Sequence, residues 1–164
     1  MLQAHNYVRH KHGCPEVKIA TDLVDSAQRW AEEIANRGIP LYSESPGYGQ
    51  NIAFVQVPKS TTPTGSQVTH LWYSERYKFD YHHPRYLKET SQFSRVIWKS
   101  TDEIGVGICQ ITDSDKNIYA IVVNYRPRGN TNMPGDFEVN VPAPITGQSP
   151  DELILSRAHT EVLI

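Results

Sequence analysis

Cysteine is scarce in this chain: Cys14 and Cys109 are the only two among 164 residues. Secreted domains of this kind usually carry a disulfide framework, and two thiols in distant segments do not build one. The count favours a reducing, intracellular setting, with secretion left open if residues precede Met1. Long apolar runs are missing too. No stretch approaches the ~20 residues that a membrane span needs, so at most peripheral contact with membranes is expected. The first twelve residues are polar and rich in histidine, unlike the apolar centre of a secretory leader. Leu at position 2 excludes N-myristoylation of the chain as written. Neither sign of charge dominates, since 16 Lys and Arg stand against 18 Asp and Glu, a net of −2. No basic run offers a stripe for phosphates, so nucleic acid is not expected as a partner. Gly47-Tyr48-Gly49 lacks the third glycine and the strand–helix setting of a dinucleotide loop. Ser66, Ser74 and Ser94 lack a nucleophile elbow.

What is present is one ordinary globular domain: 38% apolar and 21% charged residues, in a length that supports a real core. Residues 2–12 can form a helix that stops at Gly13 and Pro15. Leu23, Ala27, Trp30, Ala31 and Ile34 recur at helical spacing, with Asp22 as the expected cap and Gly38 and Pro40 as the stop. Gly49 to Val57 reads as a strand, and residues 58–66 as a polar loop. A third helix is expected over Gln67–Tyr77, with Val68, Leu71, Trp72 and Glu75 on one face. An aromatic, His-rich loop follows, Phe79 to Tyr86, and then a short helix over residues 90–98. Strands Ile104–Ile111 and Ile118–Tyr125 are joined by a turn at 113–117. In the first, Ile104, Val106 and Ile108 face one way and Gly105, Gly107 and Cys109 the other. Arg126–Pro144 should be irregular, and Ser149-Pro150-Asp151-Glu152 is a helix start signal. The order of elements points to an α+β sheet covered by helices.

Several of these segments resemble the CAP superfamily of cysteine-rich secretory, antigen-five and pathogenesis-related proteins. Ala4-His5-Asn6-Tyr7-Val8-Arg9 with His12-Gly13 is similar to the family's opening. Gly49-Gln50-Asn51-Ile52-Ala53 resembles its "GENIA", and Trp72-Tyr73-Ser74-Glu75 its "WYxE". Residues Phe93 to Thr101, followed by Gly105-Val106-Gly107, resemble its signature "HFTQVVWKST…GVG". Asn124-Tyr125-Arg126-Pro127-Arg128-Gly129-Asn130 resembles the second signature, and Phe137 to Val141 the close of the intracellular, Golgi-associated branch. The resemblance implies a three-layer α–β–α sandwich around a central antiparallel sheet. It covers residues 1–144 and leaves 145–164 as a C-terminal extension. Val123 stands where secreted members place a disulfide cysteine.

Members of this family typically carry a cleft with two histidines and two glutamates able to bind a divalent metal. On the motif match those positions fall on Tyr42, Gln50, Glu75 and Gln92. Only Glu75 is retained. A phenol stays protonated at neutral pH and an amide is a feeble zinc ligand. The expectation is therefore no metal, no other cofactor and no catalytic residue, because no histidine remains to pair with Glu75. His82-His83 reads as a solvated pair. Phe79-x-Tyr81-x-x-x-x-Tyr86 fits an aromatic spacing that the resemblance ties to sterol binding. The chain is thus expected to be a non-catalytic module that binds a sterol or fatty acid, or a protein partner, with Phe79, Tyr81 and Tyr86 as a lipid loop. The alternatives are hydrolase-like activity in the cleft and pure protein interaction, as a homodimer or through the tail 149–164.

Overall fold

The computed structural model describes residues 1–44, 47–111 and 116–145, together with the backbone of the strand Glu161–Val162. Among the described residues, five α-helices, α1 Leu2–Lys11, α2 Thr21–Arg37, α3 Gly65–Tyr73, α4 Ser91–Ile97 and α5 Asp136–Asn140, surround one sheet. Its strands are β1 Lys18–Ile19, β2 Gly49–Gln56, β3 Glu103–Ile111, β4 Ile118–Arg126 and β5 Glu161–Val162, in the order β1-β3-β4-β2-β5. The central three strands are antiparallel, β5 is antiparallel to β2, and β1 joins β3 in parallel.

The strand period of two sorts side chains into two cores. Ile52 and Phe54 of β2 and Ala120 and Val122 of β4 meet Ala27, Ala31 and Ile34 of α2. The alternate residues Ala53, Val55, Ile121, Val123 and Tyr125 face the other way, toward Val8, Trp72 and Phe93 of α1, α3 and α4. A sheet buried on both faces reads as a nearly continuous apolar run, as β2 and β4 do. This is the three-layer α–β–α sandwich implied by the resemblance.

The two glycines of β3 set the thickness of the first layer. A Cβ at Gly105 would strike the backbone of Leu23 and Val24, and one at Gly107 that of Ala27 and Gln28. The glycine face is thus where α2 lies on the sheet, while Ile104 and Val106 serve the other core. Ile108, whose backbone bonds the Gln28 side-chain amide of α2, has an exposed side chain.

Several local expectations are corrected. Ala20, not Asp22, precedes the first turn of α2. The Asp22 carboxylate instead pairs with Arg126, and that guanidinium holds it below the usual carboxylate range. Helix α3 begins earlier than expected because Thr64 and Gln67 form a reciprocal capping box. It also ends earlier, at Tyr73, and a 3₁₀ turn over Ser74–Lys78 carries Glu75. The stretch expected to be irregular contains α5, whose Phe137 ring packs edge-on against Trp98 at 5.1 Å. The helix start signal at 149–152 lies outside the described residues, as does most of the turn 113–117. Cys14 is buried and Cys109 half-buried, and both are free thiols.

Helix α1 ties the second layer together through its polar side chains. Asn6 accepts from the Val17 amide and donates to the Val17 carbonyl. The fully buried Arg9 reaches five backbone carbonyls across the chain. The residues of the opening motif are therefore structural fasteners.

Candidate functional site

A cleft of about 760 Å³ opens where the 3₁₀ turn after α3, the start of α4 and the start of β2 converge. All four positions singled out by the motif match line it: Tyr42, Gln50, Glu75 and Gln92. They share the cleft but do not form one cluster. Among the described residues, no hydrogen bond joins any two of these four side chains.

Each has its own reason to be where it is. The Glu75 Oε2 accepts from the backbone N–H of Gln92 at 3.1 Å and of Phe93 at 3.0 Å. It therefore caps α4 from another element, satisfying orphan donors of that helix's first turn. Burial pushes the Glu75 carboxyl up, and the two backbone N–H bonds oppose that shift. Gln50 is turned to the α2 side of the sheet. Its amide donates to Asn124 Oδ1 at 2.8 Å and to Ser43 Oγ, and accepts from the Ser43 amide. Gln92 donates to the Ile52 carbonyl at 3.0 Å. Tyr42 is 54% exposed at the rim.

These donors do not fit a divalent cation. The two amides are already committed to protein partners, the phenol is neutral, and the single carboxylate is spoken for by two N–H groups. Among the described residues, no histidine lines the cleft beside Glu75.

The aromatic loop does not form a lid. Phe79 is only 7% exposed and sits in the core, with ring centroids 5.0 Å from Tyr81 and 5.6 Å from Phe93. The Tyr81 hydroxyl is buried with no hydrogen-bond partner among the described residues, and burial pushes its pKa well up. Tyr86 alone of the three lines the cleft, 44% exposed, its ring 6.4 Å from that of Phe137. The rings expected to act together are divided between core and surface, because two of them close the base of the α3–α4 layer. Phe79→Ala should therefore lower the unfolding free energy by about 3–5 kcal/mol, and Tyr86→Ala by about 1 kcal/mol or less. Urea titrations of the two variants check this, and equal losses would contradict the division. His82 and His83 are exposed, with His83 Nδ1 3.0 Å from Asp80 Oδ2.

The motif reading missed three cations that also line the cleft: Lys88, Arg95 and Arg128. Arg95 of α4 is the deepest. Its Nη1 donates to the Gln50 carbonyl and to Asn51 Oδ1, both at 3.0 Å. Its Nε lies 3.4 Å from the Arg128 carbonyl. Gly49 makes this contact possible, since a Cβ there would collide with that carbonyl and crowd the Arg95 Nε. The readable signal was a lone arginine inside the apolar run Phe93–Trp98. The half-buried Arg95 side chain has no carboxylate within ion-pair range among the described residues.

Comparison with known proteins places this architecture. Residues 2–125 match the sequence model of the "Cysteine-rich secretory protein family". The chain is similar to the human "Golgi-associated plant pathogenesis-related protein 1", 34% identical over 88% of this chain and 91% of that protein. It is 30% identical to "Protein PRY2" of Saccharomyces cerevisiae over 86% of this chain but only 40% of that protein. Among solved structures, the venom allergen-like protein 4 of Schistosoma mansoni superposes with a TM-score of 0.58 at 20% identity, covering 79% of this chain and 86% of that one.

Proposed function

The chain belongs to the cysteine-rich secretory protein (CAP) family, and from that premise we propose that it is a non-catalytic binding protein whose ligand lies in the cleft beside Glu75. The observation that carries this reading is the lining itself. A volume of about 760 Å³ suits a small organic molecule. The walls offer hydroxyls, amides and rings, but neither a metal-ligand set nor an acid–base pair. A sterol or fatty acid would enter here, its apolar part against Leu71, Tyr42 and Tyr86. The lipid loop contributes Tyr86 to the ligand, while Phe79 and Tyr81 hold the wall behind it. Relatives include a Golgi-associated protein and one named as secreted. No helix among the described residues is long and apolar enough to cross a membrane.

Two titrations test the reading. Isothermal titration with zinc at neutral pH should give no tight one-to-one binding. Radiolabelled cholesterol and fatty acid should bind saturably, and Tyr42→Ala/Tyr86→Ala should weaken that binding at least tenfold, about 1.4 kcal/mol. Micromolar zinc binding lost in Glu75→Ala, or no saturable binding of either lipid, would overturn the proposal.

A further inference from the structure

We infer that the cleft selects an anionic ligand, one carrying a phosphate or carboxylate head that Arg95 grips from inside while Lys88 and Arg128 face it from the rim. This rests on the reading of the cleft as the binding site and adds the charge class of what fills it.

Four residues with charged side chains line the cleft: Lys88, Arg95 and Arg128 against Glu75. One oxygen of that carboxylate, Oε2, accepts from the amides of Gln92 and Phe93. Burial raises its pKa, and the Arg95 charge is among the effects that oppose the shift. The three cations have no carboxylate within ion-pair range among the described residues. Lys88 and Arg128 are exposed, and water can serve them. Arg95 is different. Burial disfavours its charged form, and the neighbouring Arg128 charge adds to that effect. Glu75 acts on Arg95 only at a distance, and a guanidinium held in a wall of the protein without a direct ion pair is costly unless something anionic completes it.

The geometry leaves that place open. Arg95 spends Nη1 on Gln50 and Asn51 and directs Nε at the Arg128 carbonyl. Its Nη2 has no partner among the described residues. These bonds fix the plane of the guanidinium, so its free edge is presented without further ordering. A guanidinium edge donating to an oxyanion makes short, charge-assisted bonds. Phenolic hydroxyls of Tyr42 and Tyr86 stand in the same lining and can donate to the same head. Cations of one sign around a concave wall also focus field on an approaching anion.

The test uses the full chain and ligands that share one tail. Octyl phosphate, octanoate, octanol and octyltrimethylammonium are titrated calorimetrically at low salt, with inorganic phosphate alongside. The two anionic amphiphiles should bind at least tenfold tighter than octanol, and the cation should bind least. Raising the salt should erode the preference. Lys88→Ala/Arg128→Ala, both surface changes, should weaken the anions at least fivefold and leave octanol unchanged. Arg95→Gln should remove the preference. If that variant fails to fold, the rim double variant still decides. Inorganic phosphate binding as tightly as octyl phosphate supports the site and assigns it to soluble phosphates. Tighter octyl phosphate assigns it to an amphiphile's head. Octanol binding as tightly as octanoate overturns the inference while the cleft reading stands. Failure of all the eight-carbon ligands overturns both.

Discussion

Arg9→Leu is expected to lower the unfolding free energy by about 4 kcal/mol or more. The side chain is fully buried, and every nitrogen of its guanidinium is used. Nε donates to the Pro15 carbonyl at 2.8 Å. Nη1 donates to Val96 at 3.1 Å and Trp98 at 2.9 Å, and Nη2 to Lys99 at 3.4 Å and Thr101 at 2.8 Å. Those carbonyls belong to the end of α4 and the turn after it, where a helix leaves acceptors without internal partners. Leucine fills part of the volume and leaves the acceptors unpaired in a space closed to water. A chain of this size loses roughly 2–4 °C per kcal/mol, so the midpoint should fall by about 10–15 °C. Arg9→Lys keeps the charge but cannot reach five carbonyls at once, and should lose about half as much. Thermal and urea unfolding measure both. A loss under about 1 kcal/mol for the leucine variant would show that the carbonyls find other partners, and that α1 does not hold α4. Because α4 carries Gln92 and Arg95, ligand binding should weaken along with stability.

That clamp also marks what the chain could tell about itself. Helix α1 was legible from its stop at Gly13 and Pro15, and α2 because its apolar residues recur at helical spacing before Gly38 and Pro40. The hairpin of β3 and β4 was legible from alternation, yet the meaning of Gly105 and Gly107 was not. Only the position of α2 shows that they are the contact face. β1 is two exposed residues long and carries no pattern at all. The helical period that placed Glu75 on an apolar face fails at Tyr73, where the backbone tightens into a 3₁₀ turn. The carboxylate then caps a helix 17 residues further on, a contact no local pattern encodes. The cleft residues came from motif order and line one cleft without forming a cluster. Arg95 was overlooked because motif matching asks which ligands have been lost, not which charges have been gained. Phe79 and Tyr86 read alike in sequence, and only the packing of Phe93 against Phe79 separates core from surface. Among the described residues the lining sets three cations, Lys88, Arg95 and Arg128, against the single carboxylate of Glu75.

Acidification below pH 6.5 should destabilise this protein steeply, because two histidines are buried neutral. His5 is held near Tyr125, with Nε2 2.8 Å from the phenol oxygen and Nδ1 3.2 Å from the Met1 carbonyl. A carbonyl can only accept, so Nδ1 carries the hydrogen and Nε2 accepts from Tyr125. His12 repeats the arrangement, with Nδ1 2.7 Å from the Pro142 carbonyl and Nε2 2.9 Å from the Tyr73 hydroxyl. Protonation would put a second N–H against each phenol and a charge in the core. Burial therefore pushes His5 down to about 3 and His12 down to about 4, from 6.5 in the unfolded chain. Above pH 6.5 both rings are neutral in both states, and their contribution is fully present. As pH falls from 6.5 toward 4, the unfolded chain takes up two protons that the folded chain refuses. Each costs about 1.4 kcal/mol per pH unit, or roughly 2.8 together. Glu75 works in the opposite sense, since its carboxyl is raised and acid relieves its burial, but it is one group with two N–H bonds favouring its charge. A domain of ordinary stability, about 5–15 kcal/mol, should then lose some 5 kcal/mol between pH 6.5 and 4.5. Urea titrations at half-unit intervals measure the slope, and His12→Gln, which keeps a donor and an acceptor without the titrating ring, should roughly halve it. In the folded protein the imidazole resonances of His5 and His12 should stay unshifted down to about pH 5. Resonances of His5 and His12 that titrate near 6.5 in the folded state, with a flat stability profile, would remove the two rings as the acid-sensitive element.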